Sequence, residues 1–398
     1  MNPSKPRSAG AFLCQAVPFK EVIMKDAVAR FVILCFAVSV VALLLPQAPL
    51  ACTSFQIKAN DGTVVIGRSN EFGIDARSQI VFEPAGKEFK SKAPDGKAGK
   101  SWTARYAFLG INGLGLIEGF GEGMNESGLS VEGLYFDESK YETVDPKDSQ
   151  SAVSSNDFVS WVLGNFATVD ELKRELPNVR VWGDTVAELG GPLALHFAVH
   201  DASGKCVVIE FINGEKKVYD NPIGVMTNMP EFPWQVTNLR NYLNLNPFIP
   251  KAKDFSGVSV RPTGTGGGWL GMPGDWSPPS RFVRIAYLVN VCSPAKDGKE
   301  ALNLAKHILN TVDIPLNSVD ASLKDKSGGD AVAKEYTQWS ILLDLTNRVM
   351  YYYSYRDMNL KSIDLKKMAA SKIQRAQFIP IIGEFSATDM TDRLLDLK

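Results

Sequence analysis

An uncharged apolar run, FVILCFAVSVVALLL at residues 31–45, separates two parts of the chain that differ in character. Basic residues precede the run, and small and apolar residues follow it as far as Ala51. This order of basic, apolar and small segments is typical of a signal for export. The run is also too short to span a bilayer comfortably. We therefore predict that residues 1–51 are a signal peptide and that the folded protein, 52–398, starts at Cys52.

The segment before the apolar run is long for a signal, and Met24 followed by Lys25 offers a more usual start. We predict that translation begins at Met24. A retained signal anchor, or an apolar helix of the core, is the alternative interpretation of the run. No second apolar span follows it, so we expect an exported protein, periplasmic or secreted, with no stable membrane span after processing.

Removal of residues 1–51 leaves three cysteines, Cys52, Cys206 and Cys292. An exported protein matures in an oxidising compartment, where an odd number of cysteines leaves at least one thiol unpaired or reactive. Cys206 and Cys292 either form a disulfide or are buried thiols. We expect buried thiols, because both residues lie in apolar periodic stretches.

The composition is that of an ordinary globular protein, with 45% hydrophobic residues, 22% charged residues and a formal net charge of -1. A chain of 398 residues with these values has enough apolar side chains for a large core. The near-zero charge gives no indication of a basic surface, so we expect no nucleic-acid partner.

Two alternating segments, TSFQIKA and TVVIGRS, flank an Asn-Asp-Gly turn at 60–62 and predict a β-hairpin that starts at Cys52. With a three-residue loop, position 52 lies opposite position 70, and Arg68 is a diagonal neighbour of Cys52 on the same face. With a two-residue loop, Cys52 lies opposite Glu71. Either register brings the RSNE segment to the cysteine, and Arg68 is then a partner of the thiol or a solvated strand charge.

Beyond the hairpin, strands and helices come in groups. Strand patterns occur at 128–136, at 193–212, at 216–228, which continues the sheet, and on both sides of 346–347; helical patterns occur at 158–166, after a capping box at Thr168, at 281–292 and at 301–312. Without regular alternation of strand and helix, a parallel doubly wound sheet is disfavoured. We predict one α+β domain in which helices cover antiparallel sheets.

Cleavage before Cys52 would place a free α-amino group and a thiol on one residue. The amine titrates near ~7.7–8.0 and the thiol near ~8.5 in model peptides, so the amine can act as general base for its own side chain. This chemistry needs no histidine, and the three in the chain, His196, His200 and His307, lie in no recognisable Cys/His signature. A structural buried thiol, and a lipid-anchored envelope protein acylated on Cys52, are the alternatives.

Several separated motifs resemble those of the choloylglycine hydrolase family, which comprises conjugated bile salt hydrolases and penicillin V acylases. The matching segments are CTSFQIKANDGTVVIGRSNEF (52–72), NESGLSVEGLYF (125–136), DNPIGVMTNMPEFPWQ (220–235), LGMPGDWSPPSRFVRIAY (270–287) and YYYSYRDMN (351–359). They run in order from Cys52 almost to the C-terminus, which is far more specific than one short motif.

The resemblance implies an αββα four-layer sandwich, the N-terminal nucleophile fold, often assembled as a homotetramer and using no cofactor or metal. It implies that Cys52 is the nucleophile and that its own amine is the base. It places Arg68 beside the thiol, and Glu71, where many members have Asp, near the amine or substrate. It makes Asn228 a donor to the oxyanion, with Arg281 in support.

Tyr135 occupies a substrate-binding position that is Asn in bile salt hydrolases and Tyr in many penicillin V acylases. The loop from Gly264 to Pro279, with Trp269 and Trp276, is expected to line the acyl pocket. The predicted reaction is hydrolysis of a linear amide C–N bond through an acyl-thioester. The small-molecule substrate is a conjugated bile salt or penicillin V, with acyl-homoserine lactones as the alternative.

Overall fold

The computed structural model describes residues 51–292, 294–324 and 330–396, and the side chains of 322–331 are not considered. The predicted signal peptide therefore lies outside the described residues, except for Ala51. Of the described residues, those of 51–323 and 331–396 belong to one compact unit. No helix in the described part of the chain is long and apolar enough to cross a membrane.

The first large sheet contains the predicted hairpin at its centre. Its order is β16-β1-β2-β20-β21-β22, with β19 also paired to β20. These strands are β1 (Cys52–Lys58), β2 (Val64–Phe72), β16 (Val225–Met226), β19 (Val319–Lys324), β20 (Asp330–Asp344), β21 (Val349–Ser354) and β22 (Lys361–Asp364). All of its pairings with a described register are antiparallel.

The second large sheet is antiparallel as well, with the order β15-β14-β13-β8-β7-β6-β3-β23. Its strands are β3 (Gln79–Glu83), β6 (Phe108–Gly113), β7 (Leu116–Asn125), β8 (Leu129–Tyr135), β13 (Leu195–Asp201), β14 (Cys206–Ile212), β15 (Glu215–Asp220) and β23 (Gln377–Pro380). Four two-stranded ribbons are formed by β4 (Glu88–Lys92) with β5 (Ala98–Thr103), β9 (Ala152–Ser154) with β10 (Arg180–Trp182), β11 (Thr185–Val186) with β12 (Gly191–Pro192), and β17 (Lys253–Phe255) with β18 (Val258–Val260).

The α-helices of the described chain are α1 (Phe158–Asn165), α2 (Val169–Glu175), α3 (Phe232–Asn238), α4 (Pro278–Val291), α5 (Gly298–Asn310), α6 (Leu365–Ala369) and α7 (Thr391–Leu395). The predicted cap at Thr168 is present, since its hydroxyl accepts a hydrogen bond from the Glu171 amide at 3.2 Å.

Alternating side chains assign the faces of both sheets. In β2, Val65 packs with residues of α4 and α5, while Val64 and Ile66 pack against the second sheet. In the second sheet, Ile80 and Phe82 face the first sheet, and residues of the opposite face pack with α1 and α2. Because side chains point alternately to opposite faces of a strand, apolar strands can serve two cores at once. The α+β sandwich of two antiparallel sheets between helices is confirmed.

The hairpin has the three-residue loop. Cys52 is opposite Asn70, Ser54 is opposite Arg68, and the Ala59 amide donates to the Thr63 carbonyl at 2.8 Å. The register that paired Cys52 with Glu71 is wrong. The expectation that 216–228 continues one sheet is also wrong, because β15 belongs to the second sheet and β16 to the first. The turn between these two strands carries the chain across the sandwich.

Candidate active site

Cys52 is the first residue of β1, and the peptide bond that joins it to Ala51 is intact in the structure. Its residue exposure is 5%. Ala51 is held on both sides, because its amide donates to the Glu335 carboxylate and its carbonyl accepts from the Glu71 amide at 3.1 Å. The bond predicted to be cleaved is thus fixed within the site.

Arg68 reaches the thiol from the neighbouring strand, as the hairpin register requires. Its Nη2 atom lies 3.3 Å from Cys52 Sγ and 3.0 Å from the Gly133 carbonyl oxygen. Its Nε atom forms an ion pair with Glu122 at 2.6 Å, and Nη1 donates to the Ser69 carbonyl. The guanidinium is 1% exposed and is fixed by contacts with both sheets, so Arg68 is a partner of the thiol rather than a solvated charge.

Burial raises the pKa of the Cys52 thiol above its ordinary value, and the positive charge of Arg68 opposes that shift. The carboxylates of Glu71 and Glu122 also raise the pKa of the thiol. The resting thiol therefore keeps its proton near neutral pH, and nucleophilic attack by Cys52 requires a base close to Sγ.

Asn228 and Arg281 form a second layer of contacts around Cys52. β16 pairs Met226 with Ser54, and continuing that register places Asn228 beside Cys52. The Cys52 amide donates to Asn228 Oδ1 at 2.8 Å, and Asn228 Nδ2 donates to the Tyr135 carbonyl at 2.8 Å. Asn228 thus ties the cysteine in the first sheet to the end of β8 in the second.

Arg281 lies in the first turn of α4 and is 0% exposed. Its guanidinium donates to the Cys52 carbonyl at 2.6 Å, to Thr53 Oγ1 at 2.7 Å, to Asn228 Oδ1 at 2.8 Å and to the Trp276 carbonyl at 2.8 Å. A buried guanidinium is tolerated where its donors have acceptors in good geometry. Arg281 therefore links the helix to both Cys52 and Asn228.

Glu71 enters the site through a change of register. The pairing of β2 with β20 shifts between Asn70 and Glu71, so that Asn70 is opposite Trp339 and Glu71 is opposite Thr337. Such bulges redirect a side chain near the end of a strand. The Thr337 hydroxyl donates to Glu71 Oε1 at 2.9 Å, and burial raises the pKa of Glu71.

A pocket of about 810 Å³, including its open mouth, lies beside Cys52 and Arg68. Tyr135 lines it, and its hydroxyl donates to Asp137 Oδ1 at 2.9 Å. The other large apolar residues of the lining are Phe72, Ile111, Leu114, Leu116, Phe120, Leu193, Leu195 and Trp339. A pocket with such an apolar lining suits an apolar acyl group.

The prediction that the loop from Gly264 to Pro279 lines this pocket is wrong. Trp276 donates to the Asp313 carbonyl at 3.0 Å, and the Trp269 ring contacts Tyr287 edge-on at 6.3 Å. Both tryptophans pack the loop against its own surroundings. The loop reaches the site through two backbone carbonyls, that of Trp276, which accepts from Arg281, and that of Pro278, which accepts from the Thr227 hydroxyl at 3.0 Å.

The described cysteines are free thiols, and Cys206 is buried as expected. The expectation for Cys292 is wrong, because it is only part-buried, directly after the last residue of α4. The buried residues of α4 are the consecutive positions 280–286, and the chain from 287 to 292 is part-buried or exposed.

Two supports of the site carry no sequence signature. His196 Nε2 lies 2.9 Å from the Thr227 carbonyl oxygen, and His196 Nδ1 lies 3.1 Å from Glu210 Oε1, which also accepts from the Phe232 amide. This buried pair fixes the residue before Asn228. The second support is Glu122, the partner of Arg68. The sequence signal for these supports is that Glu122 and Glu210 lie within strand patterns, where a charged residue on a buried face is unusual.

Among the described residues, no group of three or more His, Cys, Asp or Glu side chains is placed to hold a metal ion. The chemistry that the site offers rests on the thiol, two guanidinium groups and an amide gathered at one end of the sandwich. This arrangement favours acyl transfer from an amide, in which a nucleophile attacks a carbonyl and donors stabilise the developing oxyanion.

Solved structures place the molecule in a class of amide hydrolases. A variant of the conjugated bile acid hydrolase from Clostridium perfringens superimposes with a TM-score of 0.72 and 28% identity, covering 85% of this chain and 99% of that chain. The bile salt hydrolase/transferase of the same organism is 31% identical over 320 residues, 79% of this chain and 93% of the relative. The penicillin V acylase of Pectobacterium atrosepticum is 28% identical over 356 residues, 83% and 86% of the two chains.

The sequence profile of the linear amide C–N hydrolases, choloylglycine hydrolase family, matches residues 52–374. The chain belongs to the choloylglycine hydrolase family and is a hydrolase of linear amide C–N bonds. The resemblance inferred from its separated motifs is therefore confirmed.

Proposed function

We propose that Cys52, once the residues before it are removed, is the N-terminal nucleophile that cleaves the amide bond of an N-acyl substrate. The observation that carries this proposal is the distance of 3.3 Å between Arg68 Nη2 and Cys52 Sγ, at the edge of an apolar pocket. The family match, which begins at Cys52, supports the same starting residue.

The freed α-amino group of Cys52 is the base in this proposal. In the intact chain the Cys52 nitrogen already lies 2.8 Å from Asn228 Oδ1, and Arg281 Nη1 lies 2.6 Å from the Cys52 carbonyl oxygen. A nearby guanidinium disfavours a second positive charge, which lowers the pKa of the ammonium and leaves a neutral amine near pH 7. The amine accepts the thiol proton as Sγ attacks the substrate carbonyl.

Asn228 is the oxyanion donor that we assign. Its amide group carries two N–H bonds, one of which binds the Tyr135 carbonyl and the other the developing negative charge. When the tetrahedral intermediate collapses, the C–N bond breaks and the protonated amine of Cys52 returns a proton to the leaving nitrogen. Water then attacks the thioester, releases the acid and restores the thiol.

The substrate that we propose carries a bulky apolar acyl group and a smaller polar amine, such as a conjugated bile salt or penicillin V. The apolar lining of the pocket and the named activities of the relatives support this class. Acyl-homoserine lactones share the same chemistry and are the second candidate. No cofactor enters the proposed reaction.

The test is a product assay on processed protein with a conjugated bile salt, penicillin V and an acyl-homoserine lactone. We expect release of the free acid from at least one of them. Intact mass must show a chain that starts at Cys52, without the mass of attached fatty chains. A mature protein with an acylated Cys52 would support the lipid-anchored alternative, and lack of hydrolysis of all three amides would contradict the substrate class.

Tyr135→Asn should change the choice between substrates. The shorter amide removes the aromatic ring from the pocket wall and the hydroxyl from Asp137. We expect the ratio of kcat/KM for conjugated bile salts to that for penicillin V to rise by about tenfold, as contacts of one side chain typically allow. Tyr135→Phe, which keeps the ring and loses only the hydroxyl, is the control; equal ratios in both variants would contradict the assignment.

We also propose export and assembly into a homo-oligomer. The basic, apolar and small segments before Cys52 support export to the periplasm or the medium.

The support for assembly is a ribbon, β17 with β18, on which Phe255, Val258 and Val260 are at least half exposed. Exposed apolar side chains so close together are typical of an interface, and a second copy of this chain is the partner that we assign. We expect light scattering to give a multiple of the monomer mass, and Phe255→Asp to reduce it; a wild-type monomer would contradict assembly.

A further inference from the structure

Two buried carboxyl groups lie between the sheets, beneath the thiol. Glu122 in β7 and Glu132 in β8 are directly opposite each other in the antiparallel pairing, so their side chains share the face that points toward the first sheet. Their exposures are 3% and 0%. A pair of like charges in such a position opposes folding unless a cation or a proton compensates it.

Glu122 is the member of the pair that contacts the catalytic machinery. It lines the pocket beside Cys52, and its Oε2 atom lies 2.6 Å from Arg68 Nε. Nη1 and Nη2 are bound to carbonyl oxygens of Ser69 and Gly133, and Glu122 is the anion paired with the third nitrogen, Nε. The orientation of Nη2 toward Sγ therefore depends on Glu122.

In the described part of the chain, Glu132 is held by neutral side chains, and the charge of Arg68 acts on it without an ion pair between the two. The Ser54 hydroxyl donates to its Oε2 atom at 3.4 Å, and His200 Nε2 lies 3.4 Å from the same oxygen. Burial lowers the pKa of His200 to about 3, so this imidazole is neutral over the working range of pH. Its other nitrogen lies 3.2 Å from Gln56 Oε1.

The titratable and charged groups that face the pair come from several elements. Cys52, Arg68 and Glu71 face it from the first sheet, and His200 and Cys206 face it from β13 and β14. Arg68 is the cation of this set. One guanidinium cannot neutralise two buried carboxylates. The pair therefore keeps one proton until the pH rises into the range where its second carboxyl group titrates.

We propose that Glu122 and Glu132 are a proton-sharing carboxyl pair that positions Arg68 and thereby controls the ionisation of Cys52. This inference rests on the proposed nucleophilic role of Cys52 and adds two positioning residues to it. Burial raises the pKa of Glu122 to about 7 and that of Glu132 to about 8.

The carboxyl pair broadens the pH range over which the Cys52 thiol ionises. Below its titration range, Glu122 is neutral, and the charge of Arg68 acts on Cys52 without an opposing carboxylate. As the pH rises, Glu122 ionises and raises the pKa of the thiol. The fraction of thiolate therefore increases over a wider pH range than a single-proton titration would span.

The test measures the alkylation rate of Cys52 by iodoacetamide between about pH 5 and pH 10 on processed protein, with mass spectrometry to identify the modified residue; this range includes the raised pKa values of the two glutamates and the ordinary pKa of a thiol, about 8.5. Glu122→Gln keeps the size of the side chain beside Arg68 Nε and removes its charge. We expect a narrower alkylation curve displaced to lower pH by about one unit, or about tenfold faster alkylation below the midpoint. A curve that coincides with that of the wild type would overturn the proposal.

Glu132→Gln keeps the proposal testable if Glu122→Gln does not fold. Without its partner, Glu122 ionises at lower pH and remains an anion beside Arg68, so the curve is expected to narrow and move to higher pH. Displacement of the alkylation curve in the same direction in both variants would contradict the proposed role of the carboxyl pair. Glu83→Gln is the matched control, because Glu83 is a buried carboxyl group of the same sheet, paired with Lys87 at 2.6 Å, and should leave the curve unchanged.

Alkylation uses no amide substrate, so the outcome separates this inference from the proposed function. Displaced curves together with no hydrolysis of any amide would support the pair and contradict the substrate class. Unchanged alkylation curves together with hydrolysis of an amide would support the proposed substrate class and contradict the role of the carboxyl pair.

Discussion

Cys52→Ala is expected to reduce amide hydrolysis by about 10⁴-fold or more, because removing a nucleophile leaves only binding and oxyanion contacts to lower the barrier. Cys52→Ser should be almost as inactive. Its hydroxyl is a far weaker nucleophile than a thiol at neutral pH. The measurement is kcat/KM for the best substrate, with processing of each variant checked by intact mass.

Cys292→Ser is the matched control for these variants. It replaces a free thiol that is only part-buried and lies outside the pocket. We expect wild-type kcat/KM and wild-type thermal stability. If kcat/KM of both Cys52 variants were within tenfold of the wild-type value, Cys52 would be excluded as the nucleophile. A tenfold change corresponds to only about 1.4 kcal/mol of activation free energy.

Arg281→Lys is expected to have the second-largest effect, on stability as well as activity. One ammonium group cannot reach the four acceptors that the guanidinium binds, so buried oxygens of Cys52, Thr53 or Asn228 lose their donor. Loss of a partner in a buried charged network typically costs about 3 kcal/mol. We expect Tm to fall by roughly 5 °C or more and kcat to fall by about a hundredfold, since Asn228 is released from its position.

Arg284→Lys tests whether the effect belongs to the position or to helix α4. Arg284 is also buried and lies one turn further along, but its guanidinium contacts only the carbonyl oxygens of Pro273 and Asp275. An ammonium can donate to such carbonyls, so a change in Tm smaller than that of Arg281→Lys is expected. Equal changes in both variants would show that Arg281 has only a general packing role.

The neighbourhood of Cys52 was predictable from the sequence because it is local. An Asn-Asp-Gly turn and two alternating segments limit the hairpin to two registers, and both bring residues 68–71 to the cysteine. The roles of Asn228 and Arg281 came only from the resemblance, since residues so distant in the chain meet through strand order and helix docking. The structure supplies that geometry through the pairing of β16 with β1.

Other features depended on which strands become neighbours and how the sheets stack, which periodicity does not describe. The shift of register at Glu71 arises where β2 pairs with β20, and the carboxyl pair arises where β7 pairs with β8. The contact of His196 with Thr227 joins one sheet to the other. The loop with Trp269 was misassigned because its position was inferred from composition alone. Its aromatic residues suited a pocket wall by composition, but composition does not tell which surface a loop packs against.

The position of Cys52 on a central strand decides how the protein can be handled in the laboratory. Ala51 is buried and its backbone is bound by the side chain of Glu335 and by the amide of Glu71. An affinity tag retained before Cys52 would keep its nitrogen in a peptide bond and so remove the free amine that we propose as the base. A tag attached beyond α7, whose residues are exposed, leaves the nucleophile accessible and is the design that recombinant production requires.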